Sequence, residues 1–228
     1  MTKKQKLVVK SKKSGNMKNG NDFNPAIDIN LPIEQTSTNL FRTRYFGDIQ
    51  AYCFRYIPNN EEILVLVFGT PSTVEAPLVR IHSRCLTGDV FGSAHCECGQ
   101  QLELSLQKMQ AEGNGIFIYL EQEGRGSGLV AKLKAYELYE RDGLDTVDAY
   151  KALNLPVDNR SYESAISILK FFGITHLRLL TNNPDKINSL VVAGLQVERE
   201  IIEVAPNQWN IDYMRTKKQR MGHLLNKL

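Results

Sequence analysis

The feature that most constrains the fold is a change of hydrophobic period near Gly99. Before Gly99, three segments alternate apolar and polar residues or are largely apolar, which is typical of β-strands; they are residues 45–57, 61–69 and 76–83. After it, Leu102, Leu106 and Met109 recur at helical spacing, and Gly113 is predicted to end that helix. The first half therefore predicts an antiparallel β section.

Beyond Gly113, predicted strands and helices alternate along the chain. The strands are residues 115–122, 176–181 and 195–202, and the helices are residues 129–143, 161–173 and 186–194. Such alternation favours parallel pairing of strands, with helices packed on the sheet. We therefore predict an α/β fold of mixed α+β character, in which the antiparallel section leads into a mixed sheet flanked by helices.

The first residues differ from the rest in charge. Seven lysines and no acidic residue occur in residues 1–18, so the net charge of +3 arises there and the remaining chain is mildly acidic. We interpret residues 1–37 as a basic, polar, flexible leader and residues 38–228 as one folded domain. Because the leader lacks interleaved aromatic residues, nucleic-acid binding is not favoured.

Two further features bear on location. No apolar run reaches the roughly 18 residues that a membrane span needs, and the start of the chain lacks the apolar core of a signal peptide. We therefore expect a cytoplasmic protein without membrane attachment. Thiols stay reduced in that compartment, which favours metal binding or catalysis over disulfides.

Three of the four cysteines are crowded into one stretch, as Cys85, Cys96 and Cys98. Three thiolates leave a zinc ion one protein ligand short of a closed structural site, as in catalytic sites that keep the fourth position for water. Zinc can activate that water for attack on an electrophilic carbon. The stretch therefore favours a catalytic zinc site.

Alternatives to a three-thiolate site remain open at this point. Cys53 could be a fourth ligand, His95 could replace one thiolate, or the cysteines could be unligated core residues. A zinc deaminase is excluded, because that class needs a later pair of cysteines and no cysteine follows Cys98.

Two segments after predicted strands have the character of binding loops. Residues 123–128, EGRGSG, form a Gly-rich turn before a helix, where free backbone N–H groups and Arg125 suit a phosphate. Residues 181–186, TNNPDK, place a hydroxyl, amides and a lysine at the carboxyl end of a strand. A simple tight turn and ordinary helix capping are the structural alternatives.

Taken together, these segments resemble GTP cyclohydrolase II from about Leu40 to Leu225. The resemblance is carried by six blocks in a specific order, namely residues 80–102, RIHSRCLTGDVFGSAHCECGQQL; 119–129, YLEQEGRGSGL; 132–136, KLKAY; 145–150, DTVDAY; 178–186, RLLTNNPDK; and 216–225, TKKQRMGHLL.

The resemblance implies a homodimeric enzyme of riboflavin biosynthesis that opens the imidazole ring of GTP. Formate and pyrophosphate would leave, and a diaminopyrimidinone ribosyl phosphate would remain. Each subunit would hold one Zn²⁺ through Cys85, Cys96 and Cys98 with water in the fourth position, and Mg²⁺ would accompany the GTP triphosphate. Only about 37 polar residues precede the resemblance, so we expect no fused dihydroxybutanone phosphate synthase domain.

Residue roles also follow from the resemblance. Asp158 would be the proton acceptor, Tyr136 would assist the ring chemistry, and Arg160 would attack the α-phosphate. Because arginine stays protonated, an electrostatic clamp on that phosphate would equally explain Arg160. The implied GTP contacts are Arg80, Ile81, His82, Ser83, Arg84, Gln101, Glu123, Gly124, Arg125, Thr146, Thr181 and Lys186.

Five residues depart from the family pattern, namely Arg84, Ser127, Ala131, Tyr150 and Ser161. The family usually has an acid at the first of these positions and asparagine at the positions of Ala131 and Tyr150. The departures keep two alternatives open: a divergent paralogue with another purine product, and a catalytically silent, zinc-stabilised nucleotide-binding protein.

Overall fold

A computed structural model describes residues 31–228 of the chain. Seven strands lie at Ile33–Arg42 (β1), Asp48–Tyr56 (β2), Glu61–Phe68 (β3), Leu78–Ser83 (β4), Gly115–Leu120 (β5), His176–Leu180 (β6) and Gln196–Glu200 (β7). The helices lie at Leu86–Asp89 (α1), Cys98–Glu112 (α2), Gly128–Asp142 (α3), Thr146–Ala152 (α4), Glu163–Phe171 (α5), Pro184–Val192 (α6) and Ile211–Met221 (α7). Most of the predicted leader lies outside the described residues, and its boundary at residue 37 stays a prediction.

All seven strands belong to one sheet, in the order β1-β2-β3-β5-β4-β6-β7. The pairs from β1 to β5 are antiparallel, whereas β4 pairs in parallel with β5 and β6, and β6 with β7. This arrangement confirms the predicted antiparallel section that leads into a mixed sheet.

Helices cover both faces of the sheet. One core cluster joins the strands to α5 and α6 through residues such as Ile168, Leu169 and Leu190, all fully buried. The second joins the opposite face to α2 through Leu106 and Met109, two of the residues whose spacing predicts that helix. The amphipathic pattern of the sequence therefore decides which face of the sheet each helix covers.

The predicted elements recur with small shifts at their ends. The first predicted strand begins at Asp48 rather than Tyr45, because residues 45–47 belong to the β1–β2 turn, where the amide of Thr43 donates to the carbonyl of Gly47. Gly113 ends α2 in the left-handed conformation, as predicted. The sequence analysis predicts neither the β1 strand nor helices α4 and α7.

Within residues 31–228, no helix combines the length and apolar character that a membrane crossing requires.

Candidate active site

The parallel half of the sheet gathers three chain segments at one edge. Strands β4, β5 and β6 run in the same direction, so the segments that follow them emerge side by side. These segments are residues 84–98 with the clustered cysteines, residues 121–127 with the Gly-rich turn, and residues 181–186. A cavity opens where they meet.

The three clustered cysteines converge as predicted. Their sulfur atoms all lie within 4.8 Å of one another, and the Sγ atoms of Cys85 and Cys96 are 3.6 Å apart. The loop between them folds tightly, because a Cβ atom at Gly88 would lie only 2.9 Å from the Cys96 sulfur. Only glycine therefore lets this loop pass so close to the thiols.

The cluster suits a zinc ion. Zn–S bonds of about 2.3 Å in a tetrahedron separate the sulfurs by about 3.8 Å, close to the Cys85–Cys96 spacing. The other candidate ligands lie elsewhere: Cys53 is on β2, and the imidazole of His95 packs 5.7 Å from the ring of Tyr136. Among the described residues, the group that could hold a metal contains these three thiols alone.

A buried lysine lies against the cluster. The ammonium of Lys132 is 3.1 Å from the Cys85 sulfur and 3.0 Å from Oε1 of Glu123. Hydrogen bonds from Cys96 and Cys98, together with this ammonium, hold the pKa of Cys85 far below its ordinary value. This shift favours the thiolate form of Cys85, which is the form that binds a metal, whereas the hydrogen bonds to Cys85 raise the pKa values of Cys96 and Cys98.

Asp89 fixes the position of the first thiol. Its carboxylate accepts hydrogen bonds from the backbone amide of Cys85 at 2.9 Å and the hydroxyl of Tyr119 at 2.9 Å. Nε2 of His82 lies 3.0 Å from the same carboxylate. Burial lowers the pKa of His82, although Asp89 opposes that shift. His82 therefore acts behind the thiol loop as a support for Asp89.

Glu123 ties the thiol loop to the Gly-rich turn. Its Oε2 accepts from the backbone amide of Leu86 at 2.6 Å, and its Oε1 accepts from Lys132 and from the amide of Gly124. Both carboxylate oxygens thus have partners within the protein. This single side chain joins segments that follow two different strands.

The Gly-rich turn has a left-handed backbone, with φ of 56° at Gly124 and 54° at Arg125. It lies against the loop that contains Asp158: a Cβ atom at Gly126 would be 2.8 Å from the carbonyl oxygen of Asn159. The main chains of the two loops therefore touch, and residue 126 must be glycine.

Asp158 and Arg160 form a bidentate ion pair. Nε of Arg160 donates to Oδ1 of Asp158 at 2.8 Å, and Nη2 donates to Oδ2. Burial lowers the pKa of Arg160, but the pair with Asp158 outweighs it and raises the pKa above the ordinary value. The Arg160 guanidinium is therefore held protonated and oriented at the cavity wall.

Two further cations lie buried beside this pair. Arg80 on β4 donates to the carbonyl of Leu180 at 2.8 Å and to Oε1 of Gln101 at 2.8 Å. Lys186 donates to the carbonyl of Ile81 at 2.7 Å, while burial and the charges of Arg80 and Arg160 lower its pKa. The guanidinium groups of Arg80 and Arg160, with the amine of Lys186 beside them, favour a highly charged anion as the ligand of this cavity.

Most predicted site residues line the cavity, namely Arg80, His82, Ser83, Arg84, Cys85, Cys96, Cys98, Gln101, Glu123, Gly124, Arg125, Tyr136, Thr146, Arg160, Thr181 and Lys186. Two lie behind the wall. Ile81 is fully buried in the core, and Asp158 reaches the wall through Arg160. Their predicted roles towards substrate stay predictions.

Four residues of the C-terminal segment also line the cavity and are not among the predicted site residues, namely Tyr213, Lys217, His223 and Leu225. Lys217 pairs with Glu97, which lies between two of the clustered cysteines and is 1% exposed at its side chain. All of them except Tyr213 belong to the closing TKKQRMGHLL block, residues 216–225. Nothing local in that block indicates that Lys217 pairs with Glu97, which lies 120 residues earlier in the chain.

The departing residues have different environments. Arg84 pairs with Glu121 at 2.6 Å, and both side chains are about 40% exposed, so its charge is compensated and solvated. Tyr150 is 3% exposed and lies beneath the Gly-rich turn. The charge at position 84 therefore acts at the rim of the site, and the ring at position 150 acts inside it.

Comparisons with known proteins relate the chain to one family. The sequence model of the GTP cyclohydrolase II family matches residues 34–202. A riboflavin biosynthesis protein RibBA of Parabacteroides distasonis is 44% identical over 203 residues, covering 89% of this chain and 47% of its own length. A RibBA protein of Bacillus cereus is 47% identical over 182 residues, covering 79% of this chain and 46% of its own length.

The chain thus spans about half the length of the curated relatives it matches. A solved structure, RibBX of A. baumannii, described as a two-domain 3,4-dihydroxy-2-butanone 4-phosphate synthase, has a TM-score of 0.42 and 18% identity, covering 76% of this chain and 41% of its own. A likeness this distant supports no further conclusion.

Proposed function

Because the chain belongs to the GTP cyclohydrolase II family, we propose that it hydrolyses GTP, opens the imidazole ring of the base and releases formate and pyrophosphate. The product is a diaminopyrimidinone ribosyl phosphate, the first intermediate of riboflavin biosynthesis. The observation that carries the proposal is one cavity with two parts: a buried cluster of three thiols and, around it, the cations Arg80, Arg125, Arg160 and Lys186.

The thiols Cys85, Cys96 and Cys98 would hold Zn²⁺. When bound, zinc supplies a Lewis acid that activates water towards C8 of guanine, a poor electrophile. The chain's own contribution is to keep Cys85 ionised through Lys132 and fixed through Asp89. Both contacts support a preformed site rather than one assembled on binding.

The cations are suited to the triphosphate, with Mg²⁺ held mainly by phosphate and water. Arg160 could attack the α-phosphate or act as an electrostatic clamp on it. The ion pair with Asp158 favours the clamp. A guanidinium whose pKa is raised does not lose the proton that a nucleophile must lose. Arg160 then stabilises charge that develops on the α-phosphate.

Tyr136 lines the same cavity as the thiols, and its role fits a hydrogen-bond donor. Burial raises the pKa of its phenol, with a further contribution from Tyr213. The hydroxyl therefore stays protonated at neutral pH and can donate a hydrogen bond to a ring nitrogen or to the formyl oxygen. Asp158, ionised beside Arg160, is the proposed proton acceptor.

The test is turnover by purified, zinc-loaded protein with GTP and Mg²⁺, read as formate, pyrophosphate and the pyrimidine chromophore. We expect all three products in equal amounts. Cys96→Ser should lose zinc and turnover, whereas Cys53→Ser, at the cysteine outside the cluster, should keep both. Tight GTP binding without product would refute catalysis and support the silent nucleotide-binding alternative. A formylated product would instead support the divergent paralogue.

We also propose a homodimer in the cytoplasm, as the family resemblance implies. Sedimentation equilibrium tests the dimer, and a single species at the mass of one 25.8 kDa chain would refute it. Fractionation of cells that express the full chain tests the location.

A further inference from the structure

Arg125 occupies a backbone conformation that few residues other than glycine adopt. Its φ of 54° lies in the left-handed region, which is unfavourable for a residue with a side chain. Two hydrogen bonds hold it there: the Arg125 carbonyl accepts from the amide of Asn159 at 3.0 Å, and the Tyr150 hydroxyl donates to the carbonyl of Gly124 at 2.9 Å. Strain of this kind persists only where neighbouring contacts maintain it, and it is concentrated at functional sites.

The guanidinium of Arg125 lies between two aromatic rings. Its Cζ atom is 5.9 Å from the ring centre of Tyr150 and 5.7 Å from that of Tyr213, both within the range of cation–π contacts. Its Nη2 also donates to the Tyr213 hydroxyl at 3.2 Å. The side chain is therefore fixed in place as well as in conformation.

One nitrogen of this guanidinium is left over. Nη1 is buried and has no hydrogen-bond partner among residues 31–228. A buried donor without an acceptor is unfavourable, so the arrangement is completed when an acceptor enters the cavity that Arg125 borders. A phosphate oxygen is the acceptor that a guanidinium binds best.

The two rings come from helices that the sequence analysis does not predict. Tyr150 is on α4, at a position where the family resemblance leads us to expect asparagine, which has no ring. Tyr213 is on α7, beyond residue 202, where the family match ends. The contact from Tyr150 therefore departs from the family pattern, and the contact from Tyr213 comes from outside the residues that the family model matches.

We propose that Tyr150 and Tyr213 are positioning residues that hold Arg125 between their rings so that its free nitrogen binds a phosphate of the substrate. The inference rests on the proposed function for the identity of that substrate, a guanine nucleotide. Tyr213 acts on substrate through Arg125 and does not touch the reacting atoms. Helix α7 is thereby part of the nucleotide site.

The test is a double-mutant cycle. Tyr213→Phe keeps the ring and removes only the hydroxyl that accepts from Arg125, and it is combined with Arg125→Ala. The matched control is Tyr45→Phe, at a tyrosine that is 80% exposed and remote from the cavity. Binding of Mg-GTP is measured by calorimetry, steady-state turnover gives KM and kcat, and the melting temperature reports the fold.

We expect Tyr213→Phe to raise the dissociation constant and KM about tenfold, the usual worth of one hydrogen bond to a charged group. The change in kcat should be smaller, and the melting temperature should stay at the wild-type value. In the Arg125→Ala background the same substitution should change neither constant. Tyr150→Asn, the family's residue, should weaken GTP binding in the same direction, and Tyr45→Phe should change nothing.

Equal losses from Tyr213→Phe in both backgrounds would overturn the proposal, because Tyr213 would then act independently of Arg125. Unchanged GTP affinity in Tyr213→Phe would overturn it as well. A wild-type protein that binds Mg-GTP but forms no product would refute the proposed catalysis alone, since the binding cycle still measures the coupling of Tyr213 to Arg125.

Discussion

Charged residues differ in exposure between two regions of the sheet. They are exposed to solvent on the antiparallel half and buried at the carboxyl edge of the parallel half. In the first region, Arg42 and Asp48 are 80% and 54% exposed, and Arg55 lies between Glu34 and Glu62 on the surface. In the second, the side chains of Lys217 and Glu97 are 13% and 1% exposed. The sheet thus leaves one set of pairs in water and buries the other.

The difference indicates what each set contributes. Exposed pairs add little to stability, about 0–1 kcal/mol, because water screens them. When an ion pair is buried, the free energy lost by removing its charges from water is about as large as the free energy gained from their attraction. Stability alone therefore does not explain why buried pairs are concentrated at one edge. The proposed function accounts for it, because a polyphosphate substrate needs fixed cations around it. We therefore expect substitutions at the buried edge to have larger effects on stability and turnover than substitutions on the exposed strands.

The largest effect on stability is expected for Lys217→Met. This change leaves the buried carboxyl group of Glu97 without its ion-pair partner, so we expect the free energy of unfolding to fall by about 3–5 kcal/mol. Urea unfolding measures it, with Lys218→Met, at the exposed neighbour on α7, as control. The double variant Glu97→Gln with Lys217→Met should recover most of the loss. A loss under 1 kcal/mol would show that the buried pair behaves like a surface one.

Next, Arg160→Ala removes one fixed cation and should lower kcat about 10²–10³-fold, the usual cost of losing a preorganised charge partner of the transition state. Arg160→Lys keeps the positive charge but loses the planar, bidentate guanidinium group, so its kcat should lie between those of Arg160→Ala and wild type. Arg44→Ala, on the exposed β1–β2 turn, is the control. A kcat within threefold of the wild-type value in Arg160→Ala would refute the role of Arg160 as an electrostatic clamp.

A pH-dependent effect should follow for Asp158. Burial raises its pKa, but the hydrogen bonds and charge of Arg160 outweigh burial and hold the pKa below its ordinary value of 3.8. A carboxyl group with a depressed pKa stabilises the fold above its unfolded pKa, and loses that contribution as the pH falls through the folded value. The stability difference between wild type and Asp158→Asn should therefore be constant above about pH 5 and shrink below 3.8.

Asp142, which forms an exposed pair with Arg141, provides the contrasting case for the same titration. The pKa of Asp142 is also lowered by Arg141, but solvent screens the pair. Asp142→Asn should show a smaller pH dependence than Asp158→Asn when both are followed by urea unfolding. An equal dependence would contradict the contrast between buried and exposed ion pairs.

The smallest effect belongs to the antiparallel strands. Arg55→Ala removes two exposed pairs at once, with Glu34 and Glu62, and should change the free energy of unfolding by at most about 1 kcal/mol. Chemical denaturation at low and high salt would measure this change and its screening. A loss above 2 kcal/mol would mean that β2 depends on its surface charges.

The sequence predicted elements well where one face of the element is buried. Strands β2 to β6 and helices α2, α3, α5 and α6 present an apolar face or run that the periodicity shows. No residue of β7 itself is buried, and its prediction depends on the buried apolar residues beside it, Leu195 and Ile202. β1 was missed because nine of its ten residues are exposed, so it lacks an alternating apolar signal and pairs through its backbone. α7 was missed because only Met214 and Thr216 are buried on it.

The site residues also divide into those that the sequence predicts and those that it does not. The thiols and the two binding loops were predictable because spacing and residue type within short segments indicate them. Lys132 and Tyr213 were not, since each acts through contacts with residues distant along the chain, 47 positions away at Cys85 and 88 at Arg125. Pairing of that kind depends on how helices pack, and a local pattern does not encode it.

The contact between Gly126 and Asn159 limits how this cavity can be altered. Where two main chains touch, no side chain is available to enlarge or reshape the surface by substitution. The spacing of the two loops is consequently fixed, and the side chains of α3 and α7 that line the cavity are the part that substitution can reshape.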